Sequence, residues 1–289
     1  MHKFLRAAGF TDMDEAGIYK LIYEEVIKPD NVSARLDIGG ETVLIEYRMP
    51  VNEYVGICAA LLYTGGRTEI QYYYPYYSTY EITSDSVCTL ERHTMTDTFA
   101  GILDEYNTGL SLIFFVSNPV IYRQRPDADT GAEFKGTALS AFSNEGIVIL
   151  PVLKPEERLS DAQADNREEL LKAALGGDAD AIETLTESDM SMYQQITDRM
   201  ETEDLYSVVD QSFMPCGVEC DQYSVIGEIL EVESNVNGLT KEELWMLKLD
   251  CNDVVFWLCM RKADLTGEPM KGRRIKCRLW MQGSVNMHA

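Results

Sequence analysis

"RRIKCRLWMQG", residues 273–283, alternates apolar and polar positions with a period of two. Ile275, Cys277, Leu279 and Met281 fall on one face, and Arg274, Lys276, Arg278 and Trp280 on the other. That period predicts a β-strand with its aliphatic face in a core. Working outward, "YSVIGEILEVE" (223–233), "ELWMLKLDC" (243–251) and "DVVFWLCMR" (253–261) read the same way, with "CND" (251–253) as a tight turn. "ADLTGEPMKG" (263–272) makes a loop or short helix before the last strand. Short strands in succession with one such interruption predict a small closed barrel of the OB type over residues 216–289, although only four strands can be counted where the type has five.

The other end of the chain reads as an α+β unit, residues 1–154. Thr11 is the expected N-cap of a helix with Asp14 in its first turn and Ile18, Ile22 and Val26 as its apolar stripe, ended at Pro29. Strand signals follow at "TVLIEYRM" (42–49), "YVGICAALLY" (54–63), "TEIQYYYPYY" (68–77) and "GLSLIFFVSN" (109–118), then "TALSAF" and "GIVILPV" around "SNEG" (143–146), which suits a hairpin turn. Several strands behind one helix predict a mainly antiparallel sheet. In the tyrosine-rich strand, alternation puts Ile70, Tyr72 and Tyr74 on one face and Gln71 and Tyr73 on the other, while Pro75 marks a strand end or sheet edge. A base-stacking surface needs basic groups among its rings; here only Arg67 stands near, against Glu69 and Glu81, so the tyrosines read as structural. Residues 155–215 read as a polar linker and helical connector. Leu170, Leu171, Ala174 and Leu175 face one way before Gly176-Gly177, Asp178 caps a second helix through Leu185, and Met192, Tyr193, Ile196 and Met200 mark a third.

The 289 residues carry 25 Lys+Arg against 48 Asp+Glu, a net charge of −23. A field of that sign repels polyphosphates and anionic membrane surfaces. No apolar run is long enough to span a bilayer and no secretory leader is recognisable, so a cytoplasmic protein is expected, with its seven cysteines as free thiols.

Phosphate-cradling, zincin and nucleophile-elbow motifs are missing from the sequence. His93 is the one interior histidine and a weak general-base candidate. Cys216 and Cys220 lack the spacing of a zinc site, and "PDADTG" (126–131) lacks the glutamate of a calcium loop. The sequence therefore predicts no metal site and no cofactor. "ECDQY" places Glu219 and Asp221 at alternating positions beside Tyr223, a carboxylate pair that an enzyme could use between the two units. The richest cationic set is on the barrel: Arg261, Lys262, Lys271, Arg273, Arg274, Lys276 and Arg278, with Trp280. Such a set suits docking of acidic protein segments, in the same chain or a partner, or self-association. Single-stranded nucleic acid is a further reading that the net charge disfavours.

Several stretches, "MHKFLRAAGF", "QYYYPYY", "GLSLIFFVSN", "ECDQYSVIGEI", "CNDVVFWLCMRKADLTGEP" and "GRRIKCRLWMQG", together resemble a family of proteins about this long from anaerobic Gram-positive, clostridial-type bacteria, labelled only as a domain of unknown function. The resemblance runs through nearly the whole chain in the same order. It implies a cytoplasmic bacterial protein and brings no activity, cofactor or catalytic residue with it. The expected function is a non-catalytic binding or adaptor protein.

Overall fold

In the computed structural model, residues 2–11, 13–79, 81–92, 98–105, 110–125, 133–151, 170–186, 190, 209–217 and 220–285 are described. The C-terminal alternation holds: Ile275, Cys277, Leu279 and Met281 all enter one buried core. Four C-terminal strands, Gln222–Val236, Glu243–Cys251, Val254–Arg261 and Arg274–Val285, wall that core. The two-residue turn at Asn252 and Asp253, both at positive φ, joins the middle pair as the "CND" reading requires.

The fifth wall comes from far upstream. Numbered along the chain, the strands are β1 (Val32–Gly39), β2 (Thr42–Pro50), β3 (Val55–Thr64), β4 (Arg67–Tyr77), β5 (Cys88–Arg92), β6 (Phe99–Glu105), β7 (Leu110–Val116), β8 (Glu133–Phe134) and β9 (Thr137–Ile149). The later ones are β10 (Ser212–Pro215), β11 (Gln222–Val236), β12 (Glu243–Cys251), β13 (Val254–Arg261), β14 (Leu265–Thr266) and β15 (Arg274–Val285). β9 pairs parallel with β13 and antiparallel with β15, and β11 pairs antiparallel with both β12 and β15, so β11-β12-β13-β9-β15 closes on itself. The missing strand of the barrel thus lies at 137–149, within the residues read as the N-terminal unit.

This overturns the hairpin at "SNEG". Residues 137–149 form one continuous strand, and the turn-like residues make a β-bulge: Cys277 pairs with Gly146 and Leu279 with Ser143, leaving Asn144 and Glu145 opposite Arg278. The buried Ser143 hydroxyl lies 2.7 Å from the Glu145 carbonyl and 2.6 Å from the Arg278 carbonyl and shares its one proton between them, which holds the bulge. From β15 the sheet continues through β7, β6, β5 and β8.

β1 to β4 form a separate antiparallel meander with β4 at its edge, where Pro75 is tolerated. Its helical cover differs from the sequence reading in one detail. Helix α1 (Glu15–Leu21) is capped by Asp14, whose carboxylate accepts from the Gly17 amide at 2.8 Å, whereas the Thr11 hydroxyl donates to Glu242. Ile18, Ile22 and Val26 are buried as expected, the last two on a π-helical turn over Ile22–Val26. In the connector, residues 170–175 and 179–186 are helical, and the Asp178 carboxylate accepts from the amides of Asp180 and Ala181. The third helix expected there lies outside the described residues. Among the described residues strands dominate and helices are short, so the α+β reading holds for the antiparallel sheet and the closed barrel rather than for a helix-rich chain. No helix among them is long and apolar enough to cross a membrane.

The meander packs on the outside of the barrel, and the tyrosines are the packing material. A bulge at Gln71, where Leu61 pairs with Ile70 and Ala60 with Tyr72, turns Ile70 to the face opposite Tyr72, contrary to simple alternation. Tyr74 packs edge-on against Phe115 (4.7 Å) and Trp280 (6.5 Å), and its hydroxyl donates to the Ser117 carbonyl. Tyr77 stacks on Trp257 at 6.5 Å. The edge of β4 would bury unpaired peptide groups, but the fully buried Gln282 of β15 accepts from the Tyr77 amide (3.3 Å) and donates to the Pro75 carbonyl (2.7 Å). Beneath Tyr74 and Tyr76, Glu46 is fully buried and accepts from Arg48 Nε (3.0 Å) and Ser33 (2.8 Å), while Arg48 also donates to the Ser117 carbonyl. Burial works against the Arg48 charge, but Glu46 beside it holds the guanidinium above its ordinary range.

Two stability outcomes follow. Gln282→Ala, which strands the Tyr77 amide and Pro75 carbonyl, lowers unfolding stability by about 2 kcal/mol in urea titration; a change below ~0.5 kcal/mol would show that water satisfies this edge. Glu46→Leu alone costs about 3 kcal/mol because it leaves a half-buried guanidinium without its carboxylate, whereas Glu46→Leu with Arg48→Met restores most of that loss.

Candidate binding groove on the barrel

The residues singled out on the barrel divide into three groups once β11, β13 and β15 are in place. At the ends of the outward row on β15, the side chains are enclosed. Arg274 is 3% exposed and donates to the carbonyls of Leu150, Val209 and Asp210; burial lowers its pKa. Trp280 is buried against Phe4, His2 and Phe115, and its indole N–H donates to Asp221 at 2.8 Å. The alternation places both on the outward face correctly. That face is covered at each end, by the chain near residues 150 and 209 and by the N-terminal segment with β4.

A second group is held by neighbouring acids or carbonyls. Arg261 lies 3.2 Å from Glu242 and 3.7 Å from Asp264. Lys262 lies 3.6 Å from Glu243 and sits 4.3 Å over the Trp245 ring. Arg273 donates to the Glu268 carbonyl. Lys271 lines a separate surface groove with Val232 and Met270.

The third group, Lys276 and Arg278, lies in the open middle of the row. They line a groove of about 610 Å³ with Ser224, Glu145, Gly146, Ile147, Asp264 and Thr266. Strand register builds it: Arg278 sits opposite Ser224 on β11, Lys276 sits opposite Ile147 on β9, and Thr266 on β14 pairs with that same Ile147. Directly opposed residues have their Cβ atoms roughly 5 Å apart, so these side chains share one surface. Arg278 is exposed, and its guanidinium has no hydrogen bond or ion pair among the described residues, whereas its carbonyl accepts from Ser143. Asp264 is engaged by Arg6 Nη2 at 2.5 Å and Nε at 3.1 Å, and by Arg261, so three guanidinium or carboxylate charges are settled at that rim.

The carboxylate alternative is spread differently. Asp221 accepts from Trp280, and its carbonyl accepts from the Met281 amide. Tyr223 is 2% exposed; its hydroxyl donates to the Ile113 carbonyl and accepts from the Ile113 amide, tying β11 to β7. Burial, only partly countered by that bond, pushes its pKa up to about 12. Glu219 and His93 lie outside the described residues. Five of the seven free cysteines are buried, Cys216 is half-buried and Cys220 exposed. Among the described residues no cluster of His, Cys, Asp or Glu has the form of a metal site.

Sequence reasoning missed the Glu46–Arg48 pair. Its signal was present: in "TVLIEYRM" two opposite charges at i and i+2 share a face with Leu44, a pattern that a surface strand with one aliphatic face does not need. It also missed the fully buried Asn237, whose amide donates to the Ala8 carbonyl and whose oxygen accepts from Leu239 and Thr240, fixing the N-terminal segment to the β11–β12 turn.

No curated protein and no solved structure matches the chain. A family model does match, over residues 5–283; it is described as a domain of unknown function from an E. rectale gene description, DUF3881. With nearly the whole length matched in that way, the chain belongs to the DUF3881 family.

Proposed function

We propose that this chain is a non-catalytic cytoplasmic binding or adaptor protein built on an OB-type barrel. The strand pairing supports the OB reading, with β11, β12, β13 and β15 as the first four strands and β9 as a fifth strand taken from earlier in the chain. One observation carries the functional part. OB modules hold oligonucleotides on the outward face of their second and third strands. Here those strands are β12 and β13, and their outward Leu244, Met246, Trp257 and Cys259 are buried in one core with Tyr74, Tyr77 and the N-terminal Phe4 and Leu5. The face that would stack bases is covered by the protein's own tyrosine sheet.

Among the surfaces that stay open is the Lys276–Arg278 groove, sized for a small ligand or a short segment of a partner rather than for a strand of nucleic acid. The net charge of −23 supports the same reading, since it opposes the approach of a polyanion. Asp221 and Tyr223, the carboxylate and phenol of the enzymatic alternative, are engaged in holding Trp280 and β7.

The test is native mass spectrometry of the purified chain together with fluorescence anisotropy of a labelled single-stranded oligonucleotide at physiological salt. The expected result is no metal or redox cofactor at one equivalent and no anisotropy change. A stoichiometric metal or redox cofactor would turn the reading to an enzyme, and salt-resistant oligonucleotide binding would turn it to a nucleic-acid module.

A further inference from the structure

We infer that the groove on β15 is a site for a phosphate monoester. The inference rests on the binding reading above and names the chemistry of its ligand. Four features of the groove converge. First, the Ser143 hydroxyl, fully buried, holds a bulge directly opposite Arg278 by sharing its proton between the Glu145 and Arg278 carbonyls, 2.7 and 2.6 Å away. Bulges re-aim side chains and recur beside functional sites. Second, the Arg278 guanidinium is exposed and unpaired among the described residues, while Arg6, Arg261 and Arg273 nearby all have partners.

Third, the donors around it match a phosphate. Arg278 offers a planar fork for two oxygens, the half-buried Lys276 adds positive charge to the field beside it, and Ser224 and Thr266 line the same groove. A carboxylate would be satisfied by the fork alone; a dianion with three terminal oxygens uses the rest. Fourth, the acids at the rim do not cancel this. Asp264 is answered by Arg6 and Arg261. Glu145 is exposed, where its field is screened by water and salt. The groove, about 610 Å³, is within the range of small-molecule sites. The strongly negative remainder of the protein then excludes polyphosphates while one phosphoryl group fits between the two cations.

The experiment is isothermal titration calorimetry of the full chain with inorganic phosphate, glycerol 3-phosphate and a phosphoserine peptide, with acetate as the carboxylate control. The expected result is saturable one-to-one binding of the phosphates and at least roughly tenfold weaker acetate. Arg278→Ala abolishes it at an unchanged thermal midpoint, because the side chain is exposed, and Arg278→Lys keeps an intermediate affinity as a point charge without the fork. Tighter binding of glycerol 3-phosphate assigns a free phosphorylated metabolite, and tighter binding of the peptide assigns a phosphorylated partner; either supports the site. Absence of heat at millimolar phosphate, or equal binding by Arg278→Ala, overturns it. That failure leaves the binding reading intact, since the binding reading stands or falls on the cofactor and oligonucleotide results.

Discussion

Closure of the barrel by β9 is the constraint on which the other features depend. A sheet with free edges must hide or pair them, and β13 and β15 would otherwise each present an unpaired row of peptide groups. β9 satisfies both, parallel to β13 and antiparallel to β15. Because β9 precedes the connector and β15 follows it, the barrel cannot close until residues 137–149 and 274–285, far apart in sequence, have met. The connector helices at 170–175 and 179–186 lie between the strands in sequence and supply no residue to the buried core clusters; Ala181, 4% exposed, is their buried side chain among the described residues.

Closure also fixes what β15 can do. Its inward row fills the barrel, and its outward row meets three different neighbours along its length. At one end Arg274 is captured by main-chain carbonyls, and at the other Trp280 and Gln282 receive the tyrosine strand. The Gln282 amide matters because β4 is an edge: two peptide groups would lose water on docking, and a single side chain from the barrel answers both. Only the middle of the row, opposite the bulge, remains in solvent. Fold and candidate site are therefore one geometric problem, since the covering of the two ends leaves Arg278 as the exposed cation of the outward row, with the half-buried Lys276 beside it.

Much of the fold was legible because period-two alternation reports directly which side chains share a face. The four C-terminal strands, the Asn252–Asp253 turn, strands β2 to β4 and the stripe of Ile18, Ile22 and Val26 all follow from local patterns. The failures share one cause: a local signal with two structural solutions. Asn144 and Gly146 suit a hairpin turn and suit a bulge equally well, and only the pairing of β9 with β15 selects the bulge. Gln71 does the same in β4, where one extra residue reverses the face of Ile70 relative to Tyr72. The fifth barrel strand was invisible for a related reason. Strand order is a long-range property, and "TALSAF" carries no mark of the partner it meets.

The site was less legible than the fold, and electrostatics explains the difference. Sequence places Arg274, Lys276, Arg278 and Trp280 on one face and invites them to be read as a single cationic patch with a stacking ring. Solvation separates them. A guanidinium surrounded by three carbonyls has exchanged water for fixed dipoles and has no capacity left for a ligand, and an indole whose N–H is bonded to Asp221 under Phe4 offers no open ring face. An exposed, unpaired Arg278 retains its full donor capacity. The chain has 48 acidic residues, and among the described ones none meets this guanidinium. The bulge opposite it, held by a buried hydroxyl, keeps that strand backbone fixed and leaves the guanidinium facing the groove, where a ligand oxyanion can supply the partner that the protein's own acids do not.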